Sequence, residues 1–306
     1  LYQADTWRRR QFLSSVWQLL SENPLALEQA DLVLDNMALV FEGSLHTLLA
    51  VLDPEVRKVE RRARDEKKRR VCTFTFVRAD VLRDMEDGDQ PNPMAWHQEL
   101  DASWLETREI EMERAYNGEY DDICTISHRW EEKDHPDASS NQWRKIKHHL
   151  KLEENQGITH VWYDYWCLPQ GKGLSEAEKA DFNRQLKLVN LLYLGSRVLL
   201  LVDQSYMERF WCCFEAWLSM QRCGPNGLTP LTDGGGKRYT IVPVDSGRAL
   251  AHADLAQQSE LLVGMWAGCR VDEAKQHLSS DAIKVTNQKD KKTQLAKVDQ
   301  LNDEVR

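Results

Sequence analysis

The sequence predicts an α/β fold: a doubly wound, flavodoxin-like parallel sheet over residues 121–248, with helical extensions on both sides. Three observations carry this reading. From residue 122 onward, short apolar runs rich in β-branched residues alternate with amphipathic stretches of helical period. These runs lack the polar alternation of a half-exposed strand, which implies burial on both faces beneath covering helices. Right-handed crossovers then wind those helices onto the two sides of one sheet.

Ahead of the sheet, residues 1–120 read as a helical region. Apolar residues recur at helical spacing in Trp7, Phe12, Val16, Leu19 and Leu20, and again in Leu32, Leu34, Met37, Val40 and Phe41, with Asn23 and Pro24 as the break. A third helix takes in residues 45–51 and runs past Asp53 and Pro54 into the basic stretch 57–70, RKVERRARDEKKRR. That stretch is either a solvated helix face or connector, or a site for an acidic partner, RNA or anionic lipid. Residues 71–77 (VCTFTFV) read as a short strand or a buried extended linker, and residues 84–93 as a loop. Residues 96–116, with Trp96, Leu100, Trp104 and Leu105 at near-helical spacing, read as a lead-in helix.

Within the sheet domain, strands at 123–127 (ICTIS), 160–167 (HVWYDYWC), 197–203 (RVLLLVD) and 239–245 (YTIVPVD) alternate with helices at 142–152, 182–194 and 205–221. Ser205 and Glu208 fit a capping box at the start of the last helix. The glycine-rich residues 224–238 lack the GxxxxGK[ST] spacing of a phosphate loop and lead into a strand, so they read as a flexible surface loop. Residues 249–306 form a helical C-terminal extension, with helices at 250–258, 261–266 and 271–278. Its polar, lysine-rich tail, 282–306, is a peripheral helix or partly disordered.

Composition narrows the function classes. A chain of 306 residues, 42% hydrophobic, can bury a real core, yet its longest apolar run, Val198 to Val202, is far below the roughly 20 residues of a membrane span. The net charge of -9 argues against a general nucleic-acid binder. Seven scattered cysteines without a CxxC pair predict a reducing intracellular compartment, cytoplasm or organelle, and no structural metal. The chain opens at Leu1, which suggests a fragment, a processed chain or the ordered part of a longer one.

Ligands of open parallel sheets sit outside the carboxyl ends of the strands, and here those ends are polar and aromatic: Ser127, His128, Arg129 and Trp130, then Asp164, Tyr165 and Trp166, then Asp203, Ser205 and Tyr206. Trp211 and Glu215 stack one turn apart on a helix. They form either a sugar-binding carboxylate beside a packing ring, or a core tryptophan beside a glutamate paired with an arginine such as Arg129. Asp121 and Asp122 point to opposite strand faces and make no paired-acid site. Vicinal Cys212 and Cys213 cannot bridge within a helix without distortion.

The ordered set ICTISHRWE, HVWYDYWCLPQ, RVLLLVDQSYMERFWCCFEAWLS and YTIVPVD resembles the Toll/interleukin-1 receptor (TIR) domain. The SHRW box and WYDYWCLPQ, followed by a helix with Gln185 and Tyr193, also resemble the heterokaryon-incompatibility branch. The likeness covers roughly 125 residues. It departs in the long loop 168–181, which lacks the usual acidic-arginine start, and in the lack of a clear fifth strand beyond Asp245. The resemblance implies an NAD glycohydrolase that releases nicotinamide, with NAD as substrate and no cofactor required. Glu215, in the Trp-Cys-x-x-Glu motif, is then the catalytic residue. Ser127, His128, Arg129 and Trp166 line the dinucleotide pocket, Asp164 orients the following loop, and Ser205 and Trp211 complete the binding set. TIR domains also serve as non-catalytic scaffolds that self-associate. The 11 tryptophans and the basic run 57–70 suit that alternative, with protein partners docking on the helical flanks.

Overall fold

Four strands pair in parallel at the centre of the fold: β3 (Tyr120–Ser127), β4 (His160–Trp162), β5 (Ser196–Val202) and β8 (Tyr239–Pro243), in the lateral order β4-β3-β5-β8. The computed structural model describes residues 71–85, 95–171, 173–231, 236–244, 252–285 and 288–305, which fall in the unit spanning 68–306. The helices expected over residues 1–56 and the basic segment 57–70 lie outside the described residues. Two further strands, β1 (Val71–Arg78) and β2 (Leu105–Glu111), extend the sheet to six members in the order β2-β1-β4-β3-β5-β8. Strand β5 carries the uninterrupted apolar run that burial on both faces demands, with Leu199 and Leu200 fully enclosed, whereas β8 at the sheet edge is only half-buried.

The VCTFTFV segment is a strand whose Cys72, Phe74 and Phe76 alternate into the core. It pairs antiparallel with β2 over seven residues and joins β4 through Val77 and Arg78. The lead-in helix expected over 96–116 is not formed as such. Short 3-10 turns, His97–Glu99 and Ala102–Trp104, precede strand β2, and helix α2 (Met112–Tyr116) follows it; α1 is Ala79–Asp84. Cross-strand bonds to β1 override the helical spacing of the tryptophans, and the charged residues of β2 suit a sheet edge.

Helix α3 (Asn141–Lys151) buries Trp143, Ile146 and Leu150 at helical spacing, and its last turn carries His148, His149 and Lys151, as the dipole favours. The strand expected over 160–167 ends at Trp162, and the chain turns into α4 (Asp164–Cys167). The helix expected at 182–194 is two: α5 (Glu176–Leu188), started by a Ser175/Glu178 capping box, and the wholly buried α6 (Asn190–Gly195). At Gly195 a Cβ would lie 2.6 Å from the Ala115 Cα, so α2 and α6 touch only because this residue is glycine.

The capping box expected at Ser205 is absent. Ser205 makes no side-chain cap bond, a 3-10 turn covers Tyr206–Glu208, and helix α7 runs Phe210–Ser219. The competing bonds are local. Asp203 accepts from the Ser205 N–H, the Tyr206 ring is buried, and Glu208 pairs with Lys284 instead. Helix α7 is apolar nearly all round and buried accordingly, with Glu215 as its one acid.

Part of the expected surface loop 224–238 is a hairpin, β6 (Gln221–Gly224) and β7 (Gly227–Pro230). Helices α8 (His252–Trp266), α9 (Val271–Ser279) and α10 (Gln288–Glu304) close the fold. The lysine-rich tail is therefore largely helix, docked by buried Val298 and Leu301 and by Lys297 on Asn190. Trp217 and Gln221 both donate to the Cys269 carbonyl and tie α7 to this extension. Among the described residues no helix is long and apolar enough to cross a membrane.

Candidate functional site

The parallel order puts the first of these strands, β3, between the second and third, β4 and β5, so the crossover from β3 to β4 and the one from β4 to β5 run in opposite directions across the sheet. Such a reversal opens a crevice at the strand carboxyl ends. A cavity of about 620 Å³ lies there, lined by residues from β3, β4, the loops after them, α5, α6 and α7. Trp130, Trp162, Phe182, Tyr193 and Trp211 supply its aromatic surface, and its charged and titratable groups include His128, Arg129, Asp164, Arg209 and Glu215, with Glu131, Glu132 and Lys133 on the loop after β3.

Glu215 reaches into this cleft from the second turn of α7. Its Oε2 accepts at 2.6 Å from the Ser127 hydroxyl at the end of β3, and Ser127 Oγ lies 2.5 Å from the Tyr206 hydroxyl. Burial pushes the Glu215 carboxyl up to about 8; the Ser127 and Tyr193 hydroxyls oppose the shift and the nearby Asp164 adds to it. Among the described residues no cation pairs with it. Arg129, the arginine considered as its partner from the sequence, instead donates from Nε to Asp203 at 2.5 Å and from Nη1 to the Trp130 carbonyl at 2.6 Å.

A second cluster faces Glu215 across the cleft. His128 Nε2 lies 2.9 Å from Asp164 Oδ1, and the His128 ring stacks on Tyr163 with centroids 4.2 Å apart. Trp130 Nε1 donates to the other Asp164 oxygen at 2.9 Å, and Trp130 meets Tyr165 edge-on. Burial raises the Asp164 carboxyl, but His128 and the two hydrogen bonds outweigh it and hold the group below its ordinary value. Gln170 Nε2 donates to the Asp164 carbonyl, so Asp164 also ties down the loop after α4.

Of the residues singled out in the sequence, Glu215, His128, Arg129, Asp164 and Trp211 meet at the cleft, and Ser127 lies directly beneath, in contact through Glu215. Trp166 does not line it. Because the chain turns at Tyr163, that ring is buried against Tyr163 and Trp143. Ser205 sits on the 3-10 turn outside the lining. Cys212 is buried with its Sγ on the His128 carbonyl, and burial pushes its thiol well above the ordinary range; Cys213 rises to about 12. Neither supplies a thiolate nucleophile. Trp130, Tyr193 and Tyr206 join the site without having been assigned a role in it: Trp130 and Tyr206 were marked only by their place at the strand ends, and Tyr193, on α6, only by the family resemblance.

No family model, curated protein or solved structure matches this chain.

Proposed function

We propose that the chain is a TIR-like enzyme that cleaves the N-glycosidic bond of NAD at Glu215. The observation that carries this reading is the placement of Glu215: a carboxylate without a cationic partner among the described residues, half-buried, at the aromatic cleft where the sheet reverses. The strand order β4-β3-β5-β8 is the one a flavodoxin-like fold requires of its first four strands.

In this reading the aromatic rings take up the planar nicotinamide, and Glu215 accepts from the hydroxyls of its ribose. Breaking the bond between the anomeric carbon and the nicotinamide nitrogen sends the electron pair to the ring, which leaves neutral, and positive charge develops on the sugar. An ionised Glu215 held beside the ribose stabilises that charge by several kcal/mol. Water then adds to the anomeric carbon and a proton is released, giving nicotinamide and ADP-ribose. The substrate's own cationic ring favours the ionised carboxylate on binding, because an opposite charge within a few ångströms lowers an acid's pKa.

Purified full chain incubated with NAD, beside a Glu215→Ala variant, tests the proposal. The wild type is expected to release nicotinamide and the variant to lose at least ~100-fold of that rate. Absence of release by the wild type, including when clustered, returns the chain to the alternative of a non-catalytic scaffold that works through self-association.

A further inference from the structure

Tyr206 is fully buried, and among the described residues its hydroxyl has one hydrogen-bond partner, the Ser127 hydroxyl at 2.5 Å. Ser127 is equally enclosed and has a single proton, which it gives to Glu215 Oε2 when that carboxylate is ionised. The Tyr206–Ser127 bond must then be donated by Tyr206, and burial, which holds its phenol well above the ordinary range, keeps that proton in place. The three groups form a directional chain. We propose that Tyr206 is a positioning residue for Glu215: its hydroxyl turns the only proton of Ser127 onto Glu215, and so fixes that carboxylate at the cleft and favours its ionised form.

The direction follows from counting protons. Protonation of Glu215 at Oε2 leaves the array one acceptor short: Glu215 then donates to Ser127, and either Ser127 turns to Tyr206 and the Tyr206 proton has no acceptor, or Tyr206 keeps its bond and the Ser127 proton has none. A buried donor without a partner is costly, so the chain favours the anion. Donation by Tyr206 also polarises the Ser127 hydroxyl and strengthens its bond to the carboxylate. The other titratable or charged groups about Glu215 are Tyr193 on α6, Asp164 on α4, Cys212 and Cys213 on its own helix, and His128, Arg129, Glu131, Glu132, Lys133 and Arg209 at the cleft wall. None of them interrupts the Tyr206–Ser127–Glu215 sequence of bonds. The consequence for turnover rests on the proposed hydrolase reading, whereas the array itself is tested without substrate.

The test is a pH titration of the full chain carrying side-chain carboxyl ¹³C-labelled glutamate, with the Glu215 resonance assigned by its loss in Glu215→Gln. Tyr206→Phe keeps the ring and removes the hydroxyl; it is expected to raise the Glu215 midpoint by about one pH unit. Ser127→Ala is expected to raise it at least as far, and the double variant to match Ser127→Ala alone, since Tyr206 acts only through Ser127. An unfolded chain would show the ordinary midpoint of 4.5, a change in the opposite sense. An unchanged or lowered midpoint in Tyr206→Phe overturns the proposal, as does a shift that adds in full to that of Ser127→Ala. Both results stand whether or not the chain cleaves NAD.

Discussion

Replacing Glu215 by glutamine is expected to stabilise the protein at alkaline pH by on the order of 3 kcal/mol and, under the proposed reaction, to abolish nicotinamide release. Folded, Glu215 holds its proton up to about pH 8, whereas an ordinary glutamate releases it near 4.5. Between those values the unfolded chain binds fewer protons than the native one, so stability falls as pH rises and levels off above the folded value. Below 4.5 both states are protonated and Glu215 costs nothing. The glutamine amide would keep an acceptor for Ser127 and carry no charge, so the advantage of Glu215→Gln should be absent in acid and full near pH 8. Urea unfolding of both proteins across that range measures the difference. Equal pH dependence in the two would show that Glu215 is solvated like a surface carboxylate.

The second large effect is expected at Asp203. Its carboxylate is buried at the end of β5, where it accepts from Arg129 Nε and from the Ser205 N–H. Asp203→Ala strands the Arg129 guanidinium, whose side chain is only 15% exposed, and is expected to cost about 3 kcal/mol of unfolding free energy. Arg129 also donates to the Trp130 carbonyl, and Trp130 holds Asp164, so the cleft wall should loosen in the same variant. Removing both charges with Arg129→Met and Asp203→Leu should recover most of the loss, because apolar packing replaces an ion pair more readily than a lone charge can be buried. If the double replacement is no better than the single one, the penalty is not that of an unpaired cation.

These effects separate what the sequence made legible from what it did not. The inner parallel strands were legible because burial on both faces leaves an apolar run with no polar alternation, as in RVLLLVD, whereas YTIVPVD at the half-buried edge was legible from its β-branched residues. Strand β2 was not, since its sequence LETREIE is charged and its conformation is dictated by bonds to β1, a strand well upstream in the chain. The Ser175 box forms and the Ser205 box does not, although both have the same spacing. At Ser205 the preceding Asp203 is already anchored by Arg129, and the following tyrosine is drawn into the core. The same blindness to tertiary partners hid the role of Tyr206. Conversely, Glu215 stood out because a lone acid in a helix otherwise apolar must meet a ligand, a cation or another buried donor. The fold shows it meeting the donor, Ser127, at the edge of a cleft.

The pH dependence of nicotinamide release tests the central claim most directly. The profile of kcat/KM, taken from about pH 5 to about pH 9, reports the free enzyme's essential groups. The account predicts a rise of about tenfold per pH unit that levels near the Glu215 value of about 8. The kcat profile should level at a lower pH, because the bound nicotinamide cation favours the anion. A kcat/KM that is flat over that range, or that falls toward alkaline pH, would contradict the assignment of an ionised Glu215 as the group that carries the reaction.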